Sequence, residues 1–243
     1  MKALIVAAGF GSRLREVSPS KPLTSVAGMP LIARVIAAAR EGGATSFVVV
    51  TGHESARLTS FLHALDPAIT CVVTQDWALP NGHSVLTGAD AIGPERHLLM
   101  MADHLFDPAI VARMIAAPPA PLALAVDRRL DNRLVDLDDV TRVRTSGDRI
   151  VAIGKHLPDY DAFDCGVFTV DGRFHAALRH VIATGGTGSI SAGVEALADT
   201  GGAVAVDIGD TWWLDVDDAR ALAQAEAAMQ GAQPDVRRTA LTA

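Results

Sequence analysis

Gly9, Gly11, Arg13 and Lys21 follow closely behind the apolar run of residues 3–8. An apolar run of that length reads as a buried strand that ends at Gly9. The glycines let the backbone turn tightly and bring N–H groups close to an anion. Arg13 and Lys21 add two cations beside the turn. Strand, glycine turn, arginine and lysine together can hold a triphosphate, with Ala7 and Ala8 at the strand end against the nucleotide. Two better-known phosphate loops are excluded. The third glycine of the Rossmann fingerprint would fall on Leu14, and the Walker spacing does not occur. The plain alternative is a glycine turn with charged residues at its rim. The coincidence of strand, glycines, arginine and Lys21-Pro22 favours the phosphate reading.

Two carboxylates stand at comparable places. Asp103 ends the apolar run 98–102, and Asp215 follows Trp212-Trp213-Leu214. Strand-end carboxylates suit Mg2+, which takes one or two carboxylates plus phosphate oxygens and water. An aspartate after a strand is also a common turn former or helix cap. Asp217 reads as the cap of the last helix rather than as a ligand. Asn81-Gly82, with Ser84 close by, suits a nucleobase: the amide can donate and accept, and the glycine lets the base approach. A simple β-turn explains Pro80-Asn81-Gly82 equally well. Lys155, after the run 150–153, can neutralise an incoming phosphate or simply be solvated. Asp164 and Gly166 suit contact with substrate hydroxyls, or merely begin a strand. Residues 187–191 contact the acceptor or cap a helix. His53, His83, His104 and His156 show neither metal spacing nor a catalytic partner pattern, and read as neutral or peripheral.

These residues need a frame. Apolar runs at 47–50, 71–73, 97–102 and 122–126 alternate with helical spacing at 31–39, 54–65, 84–91 and from Asp107-Pro108 onward. That rhythm predicts an α/β fold: three layers, with a mostly parallel, Rossmann-like sheet and helices on both faces. Ligands then bind beyond the carboxyl ends of the strands, where Gly9 to Arg13 and Asp103 can meet. The second half is more mixed. Short strands are expected over 134–154, turning at Asp138-Asp139 and Gly147-Asp148, then strands at 164–170 and 204–208. Helices are expected at 171–184, 190–199 and 217–229. The pattern reads as one domain over 1–230, with a flexible tail at 231–243.

Composition narrows the partners. The 243 residues are 49% hydrophobic and 20% charged, with net charge −7. No basic run is present, so nucleic acid and anionic membranes are poor partners. Cys71 and Cys165 are too few for a disulfide framework, which points to a reducing cytoplasm. Neither a signal peptide nor a membrane-spanning stretch is expected. The oligomeric state stays open, with a dimer among the options.

Gly9-Phe10-Gly11-Ser12-Arg13-Leu14 followed by Lys21-Pro22-Leu23 resembles the N-terminal motif of the nucleotidyltransferases that activate sugar phosphates. The resemblance runs over roughly residues 1–230. Asn81-Gly82-His83-Ser84, Met101-Ala102-Asp103-His104, Asp164-Cys165-Gly166-Val167-Phe168 and Trp213-Leu214-Asp215-Val216-Asp217 look most like the CTP:inositol-1-phosphate cytidylyltransferase branch. Gly154-Lys155-His156 departs from the Glu-Lys-Pro of the sugar enzymes, against a hexose substrate. The resemblance implies a nucleotidyltransferase (GT-A-like) fold and Mg2+-dependent coupling of CTP to inositol-1-phosphate. It implies Gly9, Gly11, Arg13 and Lys21 at the triphosphate, and Asn81 and Gly82 at the base. It implies Asp103 and Asp215 on the metal, and Lys155 and Asp164 towards the acceptor. Many members of that branch carry a fused membrane domain that uses the product; this chain is expected to release a soluble one. Other readings are a sugar-1-phosphate or phosphocholine nucleotidyltransferase, a glycosyltransferase and a non-catalytic nucleotide-binding subunit.

Overall fold

The computed structural model describes residues 1–14 and 18–231. In chain order the elements are β1 (Lys2–Ala7), β2 (Ser25–Val26), β3 (Met29–Pro30), α1 (Leu31–Glu41), β4 (Ser46–Thr51), α2 (Ser55–Leu65) and β5 (Thr70–Val73). Then come α3 (Asn81–Ile92), β6 (His97–Met101), β7 (His104–Phe106), α4 (Pro108–Ala116), β8 (Leu122–Asp127), β9 (Arg142–Ser146) and β10 (Arg149–Gly154). The chain continues through β11 (Ala162–Val170), α5 (Gly172–Ala183), α6 (Ile190–Ala198), β12 (Ala203–Asp207), β13 (Trp213–Asp215) and α7 (Ala219–Gly231).

Among the described residues, nine strands form one sheet in the order β5-β4-β1-β6-β11-β8-β12-β10-β9. The first four pair in parallel, as the alternating pattern of the N-terminal half predicts. β11 turns the sheet antiparallel on both its sides, and β12 lies parallel to β8. β1, β4, β6 and β8 are buried almost throughout, which is why they read as continuous apolar runs. Two cores flank the sheet, as three layers require. One gathers Leu31, Ile32 and Ile36 of α1, Leu58 and Leu62 of α2, and Ile110 and Met114 of α4. The other gathers Val85 and Ile92 of α3, Phe174 and Leu178 of α5, and Val194 of α6.

Helix starts follow local chemistry. Asp107, Asp171 and Ser189 each accept a backbone N–H in the first turn of α4, α5 and α6. Three expectations need correction. The helix expected at 84–91 already begins at Asn81. Residues 134–141 form turns rather than strand, because Asn132 and Asp136 side chains accept the N–H groups of Leu134 and Asp138 at 3.1 and 3.0 Å. The last helix is capped by Asp218, whose Oδ1 accepts from Ala221 N at 2.8 Å, and not by Asp217. The short antiparallel ribbon of β7 and β13 was not expected at all. Of the tail expected at 231–243, residues 232–243 lie outside the described residues.

On the edge away from the glycine turn, His97 and His175 are buried with ring centroids 5.2 Å apart, and neither Nε2 has a hydrogen-bond partner. Burial keeps both imidazoles below their ordinary value. For His175 the neighbouring His97 and Arg179 add to it and bring the value to about 4. The unfolded chain takes up these protons near pH 6.5, and the folded chain only lower. Stability is therefore full above about pH 6.5 and falls as pH drops towards 4. His175→Gln is expected to flatten that limb in urea unfolding at stepped pH; an unaltered slope would contradict the assignment.

Candidate active site

β1 delivers Ala7 and Ala8 to the carboxyl edge of the sheet, and the chain turns at once through Gly9 and Gly11. Gly11 has φ +62, and a side chain there would run into that of Lys21. The glycine turn therefore wraps around Lys21, which opens a short 3-10 turn with Pro22. A cavity of about 120 Å³ is lined by Ala7, Gly9, Gly11, Lys21, Ala102 and Asp103. Arg13 lies in the turn just beyond.

The β7–β13 ribbon closes the other side. Asp215 pairs in register with His104, and Val216 N donates to Asp103 O at 3.0 Å. This pairing brings together Asp103 and Asp215, which stand more than a hundred positions apart. Lys21 Nζ reaches Asp103 Oδ2 at 2.6 Å and also Asp217 Oδ1. Arg13 Nη2 lies 2.6 Å from Asp217 Oδ2 and 2.7 Å from Asp139 Oδ2. Lys155 Nζ reaches the other oxygen of Asp139. A larger cavity of about 230 Å³ opens from this network, lined among others by Asn81, Asp103, Asp139, Lys155, Asp164 and Asp215.

Charge crowding sets the titration behaviour. Burial pushes the Lys21 ammonium down, but Asp103, Asp217 and Asp215 outweigh it and raise the value. Burial likewise pushes the Asp103 carboxyl up, and Lys21 and His104 hold it far below its ordinary range. Asp215 rises to about 7, through burial and through the charges of Asp103 and Asp217, against His104 and Lys21. Burial raises Asp164 to about 6, although its Oδ1 accepts from Gly166 N at 2.7 Å. At neutral pH Asp164 is then mainly a carboxylate, which can accept from a hydroxyl.

His104 corrects an expectation. It is neither neutral nor peripheral. Its Nδ1 lies 2.8 Å from Asp103 Oδ1 and 3.7 Å from Asp215 Oδ1, and its ring stacks on Trp213. Gly166, at φ +71, leaves room for that ring, which a Cβ would strike. Burial lowers its value, but Asp215 and Asp103 outweigh this and lift it to about 9. Asn81-Gly82 opens α3 rather than standing in a free β-turn. Asn81 Oδ1 accepts from Ile190 N at 2.9 Å, and its side chain borders the larger cavity. Gly82 is buried against Gly188 and Leu178, where no Cβ fits, and Ser84 is buried one turn-face away in α3. Close packing against Gly188 and Leu178 requires a glycine there.

Two groups of side chains could hold a metal ion: Asp103, His104 and Asp215, and Asp139, Asp215 and Asp217, each with donor atoms within 4.8 Å of one another. Asp215 is shared by both, and its Oδ1 is buried without a hydrogen-bond partner, as an atom that awaits a cation would be. In the sequence, Asp217 reads as a helix cap rather than a ligand, and Asp139 only as a turn residue. Asp217 was legible, since residues two apart in an extended segment share a face and Asp215 already marked that face. Asp139 has no local signal beyond its acidic neighbours.

Asp127, the last residue of β8, holds both walls from below. It is fully buried and accepts from Asn132 Nδ2 at 2.8 Å, Arg129 Nε at 2.8 Å and Trp213 Nε1 at 2.9 Å. One carboxylate thus ties β13 to the turns at 132–140.

A phosphate-sized loop, buried lysine and clustered carboxylates at the carboxyl edge of an α/β sheet define an enzyme that works on nucleotide phosphates. The chain belongs to the MobA-like NTP transferase domain family, whose sequence model matches residues 3–136, more than half of its length. The bifunctional IPC transferase and DIPP synthase of Rubrobacter xylanophilus is 36% identical over 218 residues, 88% of this chain and 49% of that protein. The protein of the same name from Thermococcus kodakarensis is 31% identical over 173 residues, 70% of this chain and 38% of that one. This chain therefore spans about half or less of those relatives. The inositol-1-phosphate CTP transferase of T. maritima superposes with TM-score 0.85 at 22% identity, covering 96% of this chain and 97% of that one, which shows the shared fold. No helix among the described residues is long and apolar enough to cross a membrane.

Asp127→Ala leaves the Trp213 and Asn132 donors and the Arg129 charge without their acceptor. Removing one partner of such a buried pair costs about 3–5 kcal/mol. Urea unfolding is expected to show a loss of that order; a loss within 0.5 kcal/mol, the range of about what surface substitutions do, would remove Asp127 from its anchoring role.

Proposed function

We propose that this chain transfers the cytidylyl group of CTP to inositol-1-phosphate, giving CDP-inositol and pyrophosphate. The observation that carries the reading is Lys21: nearly buried under the glycine turn, it is ion-paired with Asp103 and Asp217. A lysine so placed can meet the α-phosphate of a nucleotide lying in the turn. The choice of CTP and inositol-1-phosphate is supported by the relatives named IPC transferase and by the T. maritima transferase.

An acceptor phosphate oxygen attacks the α-phosphorus, and the bond to the β-phosphate oxygen breaks as pyrophosphate leaves. A phosphate monoester has its second pKa near about 6, so the nucleophile is already dianionic at neutral pH. No general base is needed. His104, charged until about pH 9, has no free site for a proton at neutral pH in any case. Positioning and charge neutralisation remain as the work of the residues. Backbone groups of Ala7, Ala8, Gly9 and Gly11 border the triphosphate. Lys21 neutralises charge at the α-phosphate, and Arg13 at the departing pyrophosphate. Lys155 meets the acceptor phosphate, while Asp164, with Gly166 and Asn81 beside it, contacts the acceptor's hydroxyls. A divalent cation, Mg2+ in this reading, would be held by Asp103 and Asp215 with Asp217 alongside, and would supply positive charge to the phosphates. Both cysteines are free, which suits the cytoplasm.

Removing one preorganised charge partner costs about 3–4 kcal/mol in the barrier, by analogy with an oxyanion-hole donor. Lys21→Ala and Arg13→Ala are thus expected to lower kcat by about a hundredfold or more. Pyrophosphate release with Mg2+ tests this, across CTP, UTP, GTP, ATP and dTTP against inositol-1-phosphate, glucose-1-phosphate, mannose-1-phosphate and phosphocholine. Turnover confined to CTP with inositol-1-phosphate supports the full reading. Turnover with another pair reassigns the acceptor cavity, and near-normal rates in either variant would sink the roles of Lys21 and Arg13.

A further inference from the structure

The two oxygens of Asp139 serve the two sides of the site. Oδ2 accepts from Arg13 Nη2 at 2.7 Å, and Oδ1 accepts from Lys155 Nζ. Arg13 belongs to the glycine turn, where the nucleotide lies. Lys155 follows β10 on the wall of the larger cavity, where the acceptor lies. Both cations are half exposed, 49% and 50%, while the carboxylate between them is 25% exposed. Unanchored, side chains that long and that exposed lose any fixed placement to rotamer freedom.

Asp139 itself is well placed to anchor them. Its N–H donates to Asp136 O at 3.2 Å, and Val140 N donates to the same oxygen at 2.9 Å. The preceding turn is pinned by Asn132, which donates to buried Asp127 at 2.8 Å. The fork therefore rests on the same buried carboxylate that holds β13.

We propose that Asp139 is a positioning residue that sets the separation of Arg13 and Lys155, and with it the placement of the nucleotide and acceptor phosphates relative to each other. The role rests on the transfer reading above. An acid between two phosphate-binding cations weakens their pull on anions, so it does not serve affinity. Its contribution is alignment, and misplacement of reacting groups by about 1 Å can cost a hundredfold in rate.

The test is steady-state pyrophosphate release by the full chain, wild type against D139N and D139E. Asparagine keeps the shape but offers one acceptor oxygen, so it can hold only one of the two cations. In D139N, kcat is expected to fall about ten- to a hundredfold, while KM for CTP and for the acceptor stays level or falls. D139E is expected to recover part of kcat, and the Tm of both variants to stay near that of the wild type. A kcat unchanged in D139N would overturn the role, as would a loss seen only as raised KM. Recovery of D139N at high Mg2+ would also overturn it, because that marks a metal ligand rather than a spacer. If the wild type releases no pyrophosphate with any pair, the transfer reading fails and takes this role with it. Normal wild-type turnover with normal D139N kcat removes this role alone.

Discussion

Asp103, Asp139, Asp164, Asp215 and Asp217 converge on one cavity, and the fold must neutralise or protonate them. Carboxylates this close disfavour one another's charge. The chain answers in three ways. Lys21 and Arg13 each bridge two carboxylates, and Lys155 pairs with Asp139. His104 is held protonated between Asp103 and Asp215. Burial and its charged neighbours lift Asp215 to about 7. These cations keep the clustered carboxylates from repelling one another. A metal ion among the carboxylates and phosphates on Lys21 and Arg13 would be an exchange of partners, with every charge still matched.

The crowding depends on two pieces of architecture that bring distant segments to one sheet edge. The β7–β13 ribbon sets Asp215 opposite His104, so the carboxylate that ends the β6 segment meets one from near the C-terminus. Asp127 then binds β13 through Trp213 and the 132–140 turns through Asn132. Both anchors are buried and directional. A carboxylate with several donors has little freedom to drift, so the walls that carry Asp139 and Asp215 hold their spacing.

Much of this was legible before any coordinates. The N-terminal strands are buried on both faces and therefore read as unbroken apolar runs. Lys21, Arg13, Asp103 and Asp215 declared themselves by standing just past such runs, and the structure brings all four together. What was not legible arises from pairing across the chain. β7 and β13 are three residues each, too short for any periodicity, and only their mutual hydrogen bonds make them strands. Asn81-Gly82 read as a turn rather than as a helix start because Pro-Asn-Gly is ideal turn chemistry. Here proline fixes the entry to α3, and the glycine is small because Gly188 presses on it. Asp139 carries no local mark, since its meaning lies in Arg13 and Lys155.

His104 shows most plainly how environment overrides residue type. Imidazole is the side chain most often recruited as a base near neutral pH. Here two carboxylates, a stacked indole and the close backbone of Gly166 convert it into a fixed cation. A protonated imidazole cannot accept a proton, but it can hold Asp103 and Asp215 in one orientation while their charges face the cavity. In the proposed transfer, whose nucleophile is already a phosphate dianion, that orientation is the more useful service. The chemistry left to this fold is the placing of like charges side by side, and its polar residues are arranged to make that placement tolerable.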